Sequence, residues 1–190
     1  MAHAPPIPAD ALAYLAQQLA DRPSPRATQT LAARQSVGIA ESFPVFALGL
    51  DATSDPSRPL QDIATPTGMW HHQLRHGPLA HEFARSVVNG PSATDWKISE
   101  VVSSDSSEKI DDAIGWIDAN VPGDPVARLL VAPAYYLTAF WLEDPNGSQI
   151  VVADRPEQYS MLEFHHLYTA QEFLQLLSEA PHARGVPEQR

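Results

Sequence analysis

The chain has no cysteine, which excludes disulfides, zinc ribbons, iron–sulfur ligation and thiol nucleophiles together. Its fold must therefore rest on a hydrophobic core. Basic residues are also scarce: 12 Lys and Arg stand against 23 Asp and Glu, for a net charge of −11. No segment gathers enough of them to neutralise several phosphates, so neither nucleic acid nor an anionic membrane is expected as a partner. A long apolar run is missing as well. The stretch from Leu129 to Leu142 is interrupted by Pro133 and Thr138 and falls short of the ~20 residues a spanning helix needs. The start, Met1 to Pro8, carries Pro5, Pro6 and Pro8 without a basic or an apolar region, so it does not read as a signal peptide. The expectation is a cytoplasmic protein.

Signature motifs are lacking too. There is no G-x-S-x-G elbow, no Walker-type phosphate loop, no G-x-G-x-x-G and no calcium loop of the D-x-D-x-D-G type. Neither a nucleotide nor any other cofactor is expected. His81-Glu82 begins like a zincin helix, but Arg85 stands where the second histidine would have to be, and a guanidinium cannot ligate zinc.

What is present is ordinary globular material: 190 residues, of which 44% are hydrophobic and 18% charged, enough for one core. The reading is a Pro-rich N-terminal arm with a short helix over residues 1–25, a single domain over 26–180, and a flexible tail over 181–190. Asp10 can cap a helix to about Asp21, with Leu12, Leu15 and Leu19 on one stripe and Pro23 and Pro25 beyond it. Residues 26–42 show no clear period. Phe43 to Leu50 reads as a strand and Asp51 to Pro59 as a loop.

From Met69 to His76 polar and apolar residues alternate as in a strand. Gly77-Pro78 then either turns a hairpin or starts a helix with Leu79, Phe83 and Val87 on one stripe; the hairpin is preferred. Trp96 to Val102 reads as a strand, and Ser104 or Asp105 caps a helix to about Asn120 that buries Ile110, Ala113, Ile114 and Ile117. Val126 to Ala132 and Tyr135 to Glu143 read as strands with a bend at Pro133. Asp144-Pro145-Asn146-Gly147 is a turn into a return strand over Gln149 to Ala153, and Asn146 within it is read as a turn residue rather than a glycosylation acceptor. Thr169 and Glu172 form a capping box for a last helix with Phe173, Leu176 and Leu177 facing inward.

Runs of strands, one helix between them and one after, predict an α+β fold. Its antiparallel or mixed sheet is covered on one face by the central and C-terminal helices, with the N-terminal helix as an arm. No internal sequence repeat is evident.

Histidine is the one enriched functional type, with eight in the chain. A two-residue hairpin loop would pair Leu74 with His81, His72 with Phe83 and Trp70 with Arg85, placing Trp70, His72, His76 and His81 on one face. That face is read as a binding surface together with Tyr136 and Phe140 from the aromatic strand. Imidazoles beside Trp and Leu are more often packing spacers than ligands. In the alternative, His72, His76, His81, His165 and His166 hold a divalent transition metal for hydrolysis, with Glu82 or Glu163 as general base. Glu108, Asp111 and Asp112 are read as solvated carboxylates at a helix start.

The strand from Tyr135 onward is apolar on both faces, so it is either covered twice or offers one face to a partner. With high acidity and no catalytic signature, the preferred reading is a non-catalytic, adaptor-like protein-binding or assembly module of a cytoplasmic complex, binding a protein partner or itself. A third reading uses the same histidine and aromatic face for a small ligand or a pH response.

Overall fold

Alanine and leucine at helical spacing build the first element, α1 (Ala9–Ala20), which buries Ala11, Leu15 and Leu19. Leu12, expected on that stripe, is exposed. The helix begins before the expected cap, directly after Pro8, so Asp10 lies in its first turn and accepts a hydrogen bond from the Ala11 N–H at 3.0 Å. A carboxylate suits that end of the helix dipole. A computed structural model describes residues 2–21, 38–76, 79–145 and 147–179, with only the backbone of residues 76 and 79–81. Residues 1, 22–37, 77–78, 146 and 180–190 lie outside the described residues, and with them the expected turn at Gly77-Pro78 and the expected flexible tail.

The elements then run β1 (Gly38–Leu48), a single-turn α2 (Leu60–Ile63), β2 (Ala64–His76), β3 (Leu79–Val88), β4 (Trp96–Ser103) and α3 (Asp105–Asn120). They continue with β5 (Val126–Ala132), β6 (Leu137–Asp144), β7 (Gly147–Asp154), β8 (Tyr168–Thr169) and α4 (Ala170–Glu179). β1 starts well before Phe43, inside the stretch that showed no period. A 3-10 turn over Leu50–Thr53 replaces the start of the expected loop. The residues after Gly77-Pro78 form a strand, as the hairpin reading required. β6 begins at Leu137 rather than Tyr135 because Pro133–Tyr135 makes a 3-10 turn that ends on Tyr136 in the left-handed region, φ 51°.

All eight strands form one mixed sheet in the order β4-β3-β2-β1-β5-β6-β7-β8. Two antiparallel meanders meet at its middle, where β1 runs parallel to β5. Helices cover both faces rather than the single face expected. Alternate residues of the central strands explain this: Leu130, Ala139, Trp141 and Ile150 pack with Phe173, Leu174 and Leu177 of α4. Their neighbours Leu129, Phe140, Leu142 and Val151 pack with Ile110, Ala113, Ile114 and Ile117 of α3. α1 packs through Leu15 and Leu19 against Leu74, Ala84, Trp96 and Ile98. The two-sided apolar strand is thus covered twice.

The β2–β3 register differs from the expected one by a single residue. His76 faces Leu79, but a bulge follows, so Leu74 faces Glu82, His72 faces Ala84 and Trp70 faces Ser86. Because side chains alternate, the slip moves Phe83 and Arg85 off the His72 face and onto that of His71. A second bulge, opposite Val45, is built around Gly68 at φ +72°. There the Thr67 hydroxyl donates to the Val45 carbonyl at 2.7 Å and accepts from the Met69 N–H at 3.1 Å, taking over lost ladder bonds.

Candidate functional site

The buried histidines are bound inside the sheet. His72 is fully buried, with Nδ1 2.8 Å from the Ser42 hydroxyl and Nε2 2.8 Å from the Ser86 hydroxyl. A neutral imidazole has one donor and one acceptor, so one serine accepts and the other donates. Burial, with the neighbouring His71 adding to it, pushes its pKa down to about 3. His71 points the other way, packs on the Phe83 ring at 4.6 Å between centroids and pairs Nε2 with the Gln73 side-chain oxygen at 3.0 Å. Gln73 in turn donates to the Ser107 carbonyl of α3 at 2.7 Å. Burial lowers the His71 pKa to about 4, against the opposing pull of the Gln73 hydrogen bond.

Ser42 beside an imidazole nitrogen has the spacing of a nucleophile and its base. A ring held near pKa 3 and closed from solvent is a poor proton acceptor for that work.

The remaining candidates are dispersed. Trp70 packs its ring against Trp96 at 5.3 Å. Tyr136 is exposed at its left-handed corner. The side chains of His76 and His81 lie outside the described residues. Exposed His165, at φ 56°, stacks on Trp116 at 5.9 Å and places Nε2 2.8 Å from Asp112 of α3. His166 leans on Tyr168 at 4.4 Å. Glu82 is buried, whereas Glu163 is exposed. Asp111 pairs with Arg75 at 3.3 Å. Among the described residues, no three His, Asp or Glu side chains are grouped to hold a metal ion.

What the fold does build is a cavity where the two meanders part. β1 and β5 pair only through Val45–Ala47 and Leu129–Val131, so their first halves diverge. The N-terminal segment lies along β5 there: the His3 N–H donates to Pro125 at 3.0 Å, and the Ala127 N–H donates to His3 at 2.8 Å. Between this segment, β1 and α3 lies a cavity of about 230 Å³. Its apolar walls are Phe43, Ala127, Phe140, Ile114 and Ile117, with Ala2 and Ala4 from the terminal segment; Glu41, Ser42, Asp118 and His3 supply its polar atoms. Phe43 and Phe140 meet edge to face at 5.0 Å.

Glu41 receives Arg75 Nη2 on Oε1 at 3.5 Å, while its Oε2 is buried without a hydrogen-bond partner. Burial raises its pKa; the Arg75 charge opposes that, and Asp111 and Asp118 reinforce it. Acidic groups thus gather around Glu41, and its guanidinium partner Arg75 is shared with Asp111. Of the binding and metal-ligand candidates read from the sequence, Phe140 alone among those with described side chains lines this cavity, beside Phe43, Ile114 and Ile117, which were read as structural. Glu41 left one signal: it alternates with Phe43 and Val45, a carboxylate on an otherwise apolar strand face. Asp118 left none.

No family model, no curated protein and no solved structure matches the chain.

Proposed function

We propose that the chain is a non-catalytic protein-binding module whose recognition site is the cavity between β1, α3 and the N-terminal segment. One observation carries the reading: a mostly apolar cavity whose lining includes Glu41 and Asp118, with the Arg75 guanidinium beside Glu41. Such a site favours a partner that brings an apolar stem and a cation, in keeping with the net charge of −11. His72 supports it from the other side, because both of its hydrogen bonds join neighbouring strands.

The test is affinity capture at native expression level, with each captured protein tagged in turn and asked to return this chain. It is run beside two variants that fill the cavity, Ala127→Leu and Ala4→Leu, each checked for an unchanged circular dichroism spectrum. Reciprocal capture lost in a folded variant is the expected outcome. Light scattering on the same samples separates a foreign partner from a second copy of the chain. A monomer that returns no reciprocal partner, or capture indifferent to both fillings, would overturn the proposal.

A further inference from the structure

Resting on that reading, we infer that the cavity takes a single arginine side chain from a basic segment of the partner protein. Three features of the site lead there. Its size comes first: about 230 Å³ lies below the ~300–1,000 Å³ usual for small-molecule sites and suits one inserted side chain. Its walls come second. Phe43, Phe140 and Ile117 offer apolar surface along which a methylene stem can lie, and aromatic rings that a guanidinium can pack against.

Charge is the third. Glu41 and Asp118 line the cavity from β1 and α3, and Asp111 stands close enough to Glu41 to act on its ionisation. Arg75 touches Glu41 and Asp111 at 3.5 and 3.3 Å. Two carboxylates, Glu41 and Asp111, thus share one guanidinium, and Glu41 and Asp118 line the cavity from two different elements. A planar fork of N–H donors can reach both, whereas an ammonium acts as a point charge and is more strongly hydrated. The uncharged floor discriminates in turn against acidic and small polar side chains, which would be desolvated there without partners.

The experiment is a titration of the full chain, followed through its backbone amide NMR signals, with blocked pentapeptides Gly-Ser-X-Ser-Gly at about 150 mM salt, where exposed long-range attraction is screened. X is arginine, lysine or citrulline, citrulline having the shape of arginine without its charge. The arginine peptide is expected to shift the amides of Glu41, Phe43, Ile117 and Asp118 together. Citrulline should bind at least about tenfold more weakly, the scale of one lost charge-assisted contact, and lysine should fall between them. Glu41→Gln and Asp118→Asn should each weaken the arginine peptide, while Glu157→Gln, which removes an equal charge elsewhere on the surface, should not.

Citrulline binding as well as arginine, or shifts scattered over the acidic surface and insensitive to Glu41→Gln, would overturn the inference. So would free butylguanidinium binding more tightly than the peptide, which would make this a small-molecule site. If no arginine peptide binds but reciprocal capture still depends on an open cavity, the arginine is wrong and the protein-binding reading stands.

Discussion

The Ser42 hydroxyl lies 2.8 Å from Nδ1 of His72, tying β1 to β2 through a side chain as well as through the backbone ladder. Ser86 closes the other side of the ring from β3. Three adjacent strands are therefore held by one neutral imidazole, and each serine can be removed separately. Ser86→Ala leaves a buried ring nitrogen without its partner, which costs about 1–3 kcal/mol. Ser42→Ala should cost less, since its side chain is nearer to solvent. Urea denaturation reads both, and the double variant should differ from the sum of the singles because both bonds share the ring. A Ser86→Ala protein as stable as the parent would show that the ring does not bridge the strands.

Acid stability follows from the same burial. The native pKa values of His71 and His72 sit near 4 and near 3, below the unfolded value of ~6.5. Between those limits the unfolded chain binds more protons, so stability present above pH ~6.5 is lost as the pH falls toward the native values. Each ring contributes a slope of up to ~1.4 kcal/mol per pH unit. Glu41 acts in the opposite sense: its raised pKa favours the folded state at low pH, and that contribution fades as the pH rises through the native value. Urea midpoints measured from pH 7 to pH 4 should fall, and His72→Asn, which cannot titrate, should flatten the fall. A pH-independent midpoint would refute the assignment of these rings as neutral and desolvated.

How far the sequence reached depended on how local each signal was. α3 was legible because Ile110, Ala113, Ile114 and Ile117 repeat at helical spacing, and it forms where expected, although Ser104 at its N-cap position makes no side-chain capping hydrogen bond. α4 was legible for the same reason. Thr169 and Glu172 exchange capping hydrogen bonds, though Leu174 rather than Leu176 completes the buried set. The β2–β3 hairpin was legible, but its register was not, since the bulge between Leu74 and His76 shifts the pairing of Met69 to Leu74 by one. Coverage of both faces was half visible in the apolar alternation of β6. The cavity was not legible, because it depends on β1 parting from β5 and on residues 2–4 meeting residues 125–127, contacts between distant parts of the chain.

Gln18 guards an edge. Its amide donates to the Trp96 carbonyl at 2.9 Å, and its oxygen accepts from the Ile98 N–H at 3.0 Å, so a helix side chain imitates a neighbouring strand along β4. Since β4 ends the sheet, this pairing blunts a surface that would otherwise invite another strand. Gln18→Ala should lower stability by ~1–3 kcal/mol and raise concentration-dependent association, seen by light scattering. Gln18→Glu keeps the acceptor for Ile98 but loses the donor for Trp96, so it should fall between. Association unchanged in Gln18→Ala would mean that α1 covers the edge without help from this amide.

The bulge at Gly68 gives the cleanest test of backbone geometry, because space and strain can be separated there. A Cβ added at Gly68 would meet nothing within 4 Å, yet the residue sits at φ +72°. Any cost of Gly68→Ala is therefore conformational, about 1–2 kcal/mol for an L-residue held in the left-handed region. Gly38, at the start of the same pair of strands, also has open space but no positive φ. Gly38→Ala should leave the urea midpoint nearly unchanged or raise it slightly, since alanine restricts the unfolded chain. The contrast matters for the site, because the Gly68 bulge lies opposite Val45, the first β1 residue to pair with β5. Strain at that point should loosen the β1–β5 junction below the cavity, and hydrogen exchange at Val45 and Leu129 should quicken in Gly68→Ala and not in Gly38→Ala. Equal effects from the two substitutions would mean that the bulge is not what holds β1 at its fork.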